Sequence, residues 1–245
     1  GFSFFPLVFV LKLSPFIIYG VLLYFLTLIK IFNNKETKKE IILFKKEKYV
    51  GLVSYSLIFY LGYFLVMSLP TKKLDRYMIT LFPFIALVSS FGFTNLIYKA
   101  KDKWSVGFKI SAALLLVLMI YSNISAHPYQ FTYTSPIFGS PQKANNIIGQ
   151  KSFGIGIFEV KKHLQTRYGS AVEVGFIDTK PIKSIYPNSL VSDIRVNGVS
   201  DYGVMVLAIN ESIPEKVEQS GVEFIKDSSI YINDLEYWRF YVKKD

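Results

Sequence analysis

The chain has 245 residues, a hydrophobic fraction of 51% and a formal net charge of +10, and its mean hydropathy is positive; one ordinary water-soluble domain does not fit that balance. It contains no cysteine, which excludes thiolate metal sites, disulfide staples and a cysteine nucleophile. Long apolar runs fill the chain before about residue 125, and short apolar runs alternate with polar turns after it. Two bodies are therefore predicted: an α-helical transmembrane bundle over residues 1–125 and a small extracytoplasmic α/β domain over residues 126–245.

Gly1 opens directly into Phe2-Ser3-Phe4-Phe5-Pro6, with no initiator Met and no basic segment of the kind that begins a signal peptide. An upstream portion holding more of the bundle is expected. Residues 1–14 are apolar but broken by Pro6 and Lys12 and followed by Pro15, so a loop or interfacial helix is predicted ahead of the first span. Crossing a hydrocarbon core takes roughly 20 helical residues. Four segments meet that length: 15–32, 49–69, 77–98 and 105–125.

Lys35, Lys38, Lys39, Lys45, Lys46 and Lys48 crowd the loop after the first span, and Lys99, Lys101 and Lys103 crowd the loop after the third. Short cytoplasmic loops collect such residues, so both are predicted to be cytoplasmic. The loop carrying Lys72-Lys73-Leu74-Asp75-Arg76-Tyr77 then lies outside, together with everything after residue 125. Its cations oppose the charge trend. They are either snorkelling residues at helix ends, or Lys73 and Arg76 hold a lipid-linked phosphate, Arg as a bidentate fork and Lys as a point charge.

The run Lys73-Leu74-Asp75-Arg76-Tyr77-Met78-Ile79-Thr80-Leu81-Phe82-Pro83 resembles the late outside loop and following helix of the polytopic C-type-fold glycosyltransferases. That family includes dolichyl-phosphate-mannose protein mannosyltransferases and lipid A aminoarabinose transferases. The stretch from His127-Pro128-Tyr129 through Ser135-Pro136 to Gly139 is similar to the family's segment after its last span, and Phe153-Gly154-Ile155-Gly156 stands where a Trp-Gly-Glu-Gly element is usual. Asp201-Tyr202 and Glu236-Tyr237-Trp238-Arg239-Phe240-Tyr241 extend the resemblance to the end of the chain. Two departures stand out: Thr80 replaces a common proline, and Ile155 replaces the acidic residue.

The resemblance implies the C-terminal part of an integral membrane glycosyltransferase, mannosyltransferase-like, that moves a sugar from a polyprenyl- or dolichyl-phosphate donor to a protein, lipid or glycan acceptor on the outer face. It implies Lys73, Arg76 and Tyr77 as the donor-phosphate site and places the catalytic acid upstream of this chain. No catalytic residue or cofactor is assignable, and a divalent metal is neither required nor excluded. Membrane lipids are expected partners and nucleic acid is not. The rival reading is a non-catalytic membrane anchor displaying an α/β module that binds glycan, peptide or a partner subunit.

In the second body, Ile157, Val160, Lys161 and Leu164 fall at helical spacing with Gly169 as a stop. Residues 172–177 alternate as a strand, 202–209 form a continuous apolar run suited to a buried strand, and 222–225 and 237–242 read as further strands. A short helix is predicted within 211–220. Gly154-Ile155-Gly156 is read as a turn before the helix, His163 as part of a solvated helix face and His127 as a boundary residue. Asp178, Asp193, Asp201 and Asp234 are read as turn or cap residues.

Overall fold

The computed structural model describes residues 3–33, 47–70, 75–98, 103–199 and 202–244. They divide into two compact units, Gly1–His127 with Tyr133–Ile148, and Pro128–Thr132 with Gly149–Asp245.

The first unit is helical. Helix α1 (Phe4–Lys12) and helix α2 (Pro15–Asn33) meet at a bend of 108°. Pro15 causes it. Proline biases the preceding residue away from helical geometry, and Leu13 is already extended at ψ 136°. Ser14 Oγ then accepts the N–H of Ile17 at 3.3 Å and starts the new helix. Helix α1 is about 14 Å long, too short to cross a bilayer core by itself.

Helices α3 (Glu47–Ser68), α4 (Phe82–Tyr98) and α5 (Lys103–Ser125) complete the long elements. Among the described residues, Gly51–Ser68, Tyr77–Thr94 and Val106–Ser125 are each long and apolar enough to cross a membrane, and α1 with α2 would add a fourth if counted as one bent span. The predicted segment 77–98 is not one continuous α-helix: Asp75–Leu81 is 3-10. Pro83 accounts for the change, because it has no N–H and its ring would clash with the carbonyl four residues back. Tighter bonding with a three-residue repeat takes over upstream.

Helix α4 packs along α2 and also meets α3 and α5. Two glycines set the α2–α4 distance. A Cβ on Gly92 would lie 2.0 Å from the Gly20 carbonyl oxygen, and one on Gly20 would lie 2.0 Å from Ser89 Oγ. Phe16 stacks on Phe93 with ring centroids 4.3 Å apart. Helix α6 (Pro141–Ile148) also belongs to this unit, although the boundary drawn at residue 125 assigns it to the other. Its Ala144 and Ile148 join Phe5, Val8 and Phe9 in one cluster, and the N–H of Ser135 donates to the Leu11 carbonyl at 2.7 Å.

The second unit is α/β. Its strands β1 (Val174–Phe176), β2 (Val191–Asp193), β3 (Val204–Ala208), β4 (Phe224–Ile232) and β5 (Leu235–Lys243) form one sheet in the order β2-β1-β3-β5-β4. Strand β1 is parallel to β2 and β3, and β5 is antiparallel to β3 and β4. Helix α7 (Ile157–Arg167) covers one face through Val160 and Leu164, beside Val204, Val206, Trp238 and Phe240. Met205 and Leu207 point to the other face, where they meet Ile194 and Val217. Burial on both faces explains the unbroken apolar run of β3.

Three short helices, α8 (Thr179–Lys183), α9 (Ile194–Asn197) and α10 (Glu215–Glu218), connect the strands. Asp178 and Asp193 cap α8 and α9 by accepting the N–H groups of Lys180 and Arg195. Asn233 and Asp234 make the β4–β5 turn at φ 49° and 61°, the left-handed geometry that two-residue hairpins favour. Asp201 lies outside the described residues.

Substituting Gly92 with leucine in the detergent-solubilised chain is expected to destabilise it by about 1–3 kcal/mol, the usual cost of overpacking. Thermal unfolding followed by circular dichroism reads the loss. Gly62→Leu is the control, because nothing lies within 4 Å of its Cβ position, and it should unfold close to the parent temperature.

Candidate functional site

Of the three residues expected at the donor phosphate, Lys73 lies outside the described residues, together with Lys72. Arg76 and Tyr77 lie in the 3-10 helix Asp75–Leu81. Met78 and Leu81, one 3-10 turn apart, are fully buried and hold that helix against Phe5, Val8, Phe9 and Leu11. Tyr77 is half-buried, and its carbonyl accepts a hydrogen bond from Tyr63 Oη of α3 at 3.0 Å. Phe82, next along the chain, stacks on Phe9 at 5.6 Å. The turn that carries Arg76 is thus fixed to α1 on one side and to α3 on the other.

Helix α5 holds a cation that charge counting at the helix ends passes over. Lys109 is half-buried within the apolar window Val106–Ser125 and lines a groove of about 580 Å³ with residues of α2 and α4. A single lysine inside an otherwise apolar segment is a visible signal.

In the α/β unit the expected solvated position of His163 is corrected. Its ring packs on Phe240 with centroids 4.4 Å apart, and Nε2 is hydrogen-bonded to Ser228 Oγ at 2.9 Å. Burial, together with the Arg167 guanidinium, lowers its pKa below the ordinary 6.5. Beside it Arg167 grips Asp227 through Nε at 2.6 Å and Nη2 at 2.8 Å, and Tyr168 donates to the same carboxylate. The guanidinium, followed by the Tyr168 hydroxyl, holds Asp227 down at about 2. Asp227 pairs with Arg167 and Tyr168, so this Ser-His pair lacks the third group that orients a base in a hydrolytic triad. The set fastens α7 to the edge strand β4.

Open α/β sheets bind ligands beyond the carboxyl ends of parallel strands where successive connections diverge, here between β1 and β3. The carboxyl end of β3 is tied back by the loop that follows it and by β5. Glu211 Oε2 accepts the Ala208 N–H at 2.7 Å, and Arg239 Nη2 donates to the carbonyls of Ala208, at 3.0 Å, and Glu211. Burial raises the pKa of Glu211.

Gly154 and Gly156 adopt φ 74° and 72° in the turn before α7, as a turn reading requires, and the Ile155 carbonyl accepts Trp238 Nε1–H at 2.8 Å. Tyr129 donates to Glu159, and burial followed by that carboxylate pushes its hydroxyl up to about 12. Among the described residues no group of three His, Asp or Glu side chains is placed to hold a metal ion. No family model, curated protein or solved structure matches the chain.

A histidine whose folded pKa lies below 6.5 contributes stability that is complete above that value and is lost as pH falls through it. Glu211, whose pKa is raised, contributes in the opposite sense, and Asp227 acts only near and below its ordinary 3.8. The parent chain should therefore lose more melting temperature between pH 7 and pH 5 than His163→Gln does. Parallel slopes for the two chains would remove this role for His163.

Proposed function

We propose that the chain is the C-terminal part of an integral membrane glycosyltransferase that takes its sugar from a polyprenyl- or dolichyl-phosphate donor, with Lys73, Arg76 and Tyr77 at the donor phosphate. The observation that carries this reading is the placement of Arg76 and Tyr77 in a fixed 3-10 turn at the head of an apolar helix. A basic turn at that level meets the headgroup depth at which a lipid phosphate lies. Cations there would also stabilise the leaving phosphate as negative charge develops on it. The α/β unit is then extracytoplasmic and offers the surface on which a protein, lipid or glycan acceptor is met.

Membrane insertion is supported by the surface of α5. No residue of Val106–Ser125 is buried within the fold, and Val106, Ile110, Leu114, Val117, Ile120 and Ile124 are all exposed. Leaving six such side chains in water forgoes on the order of 10 kcal/mol at about 1.5–3 kcal/mol each. Lipid removes that cost.

The second reading is the non-catalytic anchor, which predicts nothing special about Arg76. Arg76→Ala in membranes of cells making the complete protein separates the two. The transferase reading expects the release of sugar from its lipid phosphate to fall by about a hundredfold, equivalent to a charge-assisted contact of roughly 3 kcal/mol. Unchanged turnover rejects the donor-site assignment.

A further inference from the structure

We propose a second lipid site: the groove between α2, α4 and α5 holds one acyl chain of an anionic glycerophospholipid, and Lys109 pairs with its phosphate. The site rests on the membrane part of the preceding reading and is independent of sugar transfer.

Lys109, Ala113 and Leu116 of α5 line the groove at helical spacing, opposite Ser90 and Phe93 of α4 and Phe16 of α2. Its volume of about 580 Å³ lies within the roughly 300–1,000 Å³ range of small-molecule sites. The walls are apolar in effect. Ser90 Oγ donates to the Leu87 carbonyl at 2.7 Å, and Thr94 Oγ1 to the Ser90 carbonyl at 2.8 Å, so these hydroxyls already have partners in the helix backbone. Small side chains at Ala112 and Ala113 leave the space open.

Charge and length select the occupant. No carboxylate lines the groove with Lys109, and a basic side chain within an apolar span is held by a counter-charge. A lipid phosphate supplies one. The groove runs on α5 from Lys109 to Met119, about 15 Å along the axis, or half of a hydrocarbon core of roughly 30 Å. That is one leaflet, which suits an acyl chain better than a long polyprenyl chain.

The cationic end also lies away from the 3-10 turn. Thr94 stands near the end of α4 and Lys109 near the start of α5, whereas Asp75–Leu81 precedes α4. Residues 81 and 94 are about 20 Å apart along the helix axis. The Lys109 phosphate therefore belongs to the leaflet opposite the turn that carries Arg76.

Native mass spectrometry of the purified chain, released from detergent with added dioleoyl phosphatidylglycerol or phosphatidylcholine, tests the site. One phosphatidylglycerol should be retained in about fivefold preference to phosphatidylcholine, the value of roughly 1 kcal/mol for a basic residue near anionic lipid. Lys109→Ala should abolish the preference and Lys109→Arg should keep it. Ala113→Leu, which fills the groove, should lower the occupancy of both lipids. Arg76→Ala should leave all of this unchanged even if it stops sugar transfer, so the two sites fail separately. An unchanged preference in Lys109→Ala, or parental occupancy in Ala113→Leu, overturns the proposal. Displacement of phosphatidylglycerol by equimolar polyprenyl phosphate overturns the choice of lipid.

Discussion

The helical unit is organised by the contact of α2 with α4, where two glycines let the backbones approach more closely than any side chain would allow. Association of helices in an apolar solvent gains little from hydrophobicity and depends on such close packing. Gly20 and Gly92 meet within that contact, with Ser89 filling the remaining space. Helix α3 packs on α4, α5 packs on both α2 and α4, and the turn upstream of α4 packs on α1.

Proline then decides what happens at the head of α4. Pro83 stops the α-helical ladder and leaves Asp75–Leu81 as a 3-10 turn, and the buried pair Met78 and Leu81 locks that turn to α1. Local covalent geometry therefore positions the residues at 76 and 77, and packing makes the position rigid. In the proposed donor site, fixed geometry would avoid reorganisation while the bond to the phosphate breaks. The α/β unit has a different logic. Its polar clusters, Arg167 with Asp227 and Arg239 with Glu211, fasten a helix to a strand and tie down the carboxyl end of β3.

The long helices are legible in the sequence because their apolar runs are long and nearly unbroken. Helix α7 is legible from the helical spacing of Ile157, Val160 and Leu164, and the buried strand β3 from a continuous apolar run. Strand β4 was legible only at its start: Lys226-Asp227-Ser228-Ser229 looks like a loop, yet an edge strand with bulges tolerates and even favours polar residues. Strand β2 is three residues long and carries no periodic signal. The place of α6 depends on contacts with α1 that are remote in sequence. Within the candidate site, the cations and Tyr77 were legible as residue types against the charge trend, but the 3-10 turn was hidden behind an apparently continuous apolar span. His163 was misjudged because its helix position alone does not reveal Phe240 and Ser228 across the interface.

We propose that the helical unit recognises the phosphate of a polyprenyl carrier. The most direct measurement compares retention of polyprenyl phosphate with that of the corresponding polyprenol, which has the same chain and no phosphate, by the purified protein in detergent. One polyprenyl phosphate should be held per chain and the alcohol lost on washing. Equal retention of both, or of neither, would contradict it.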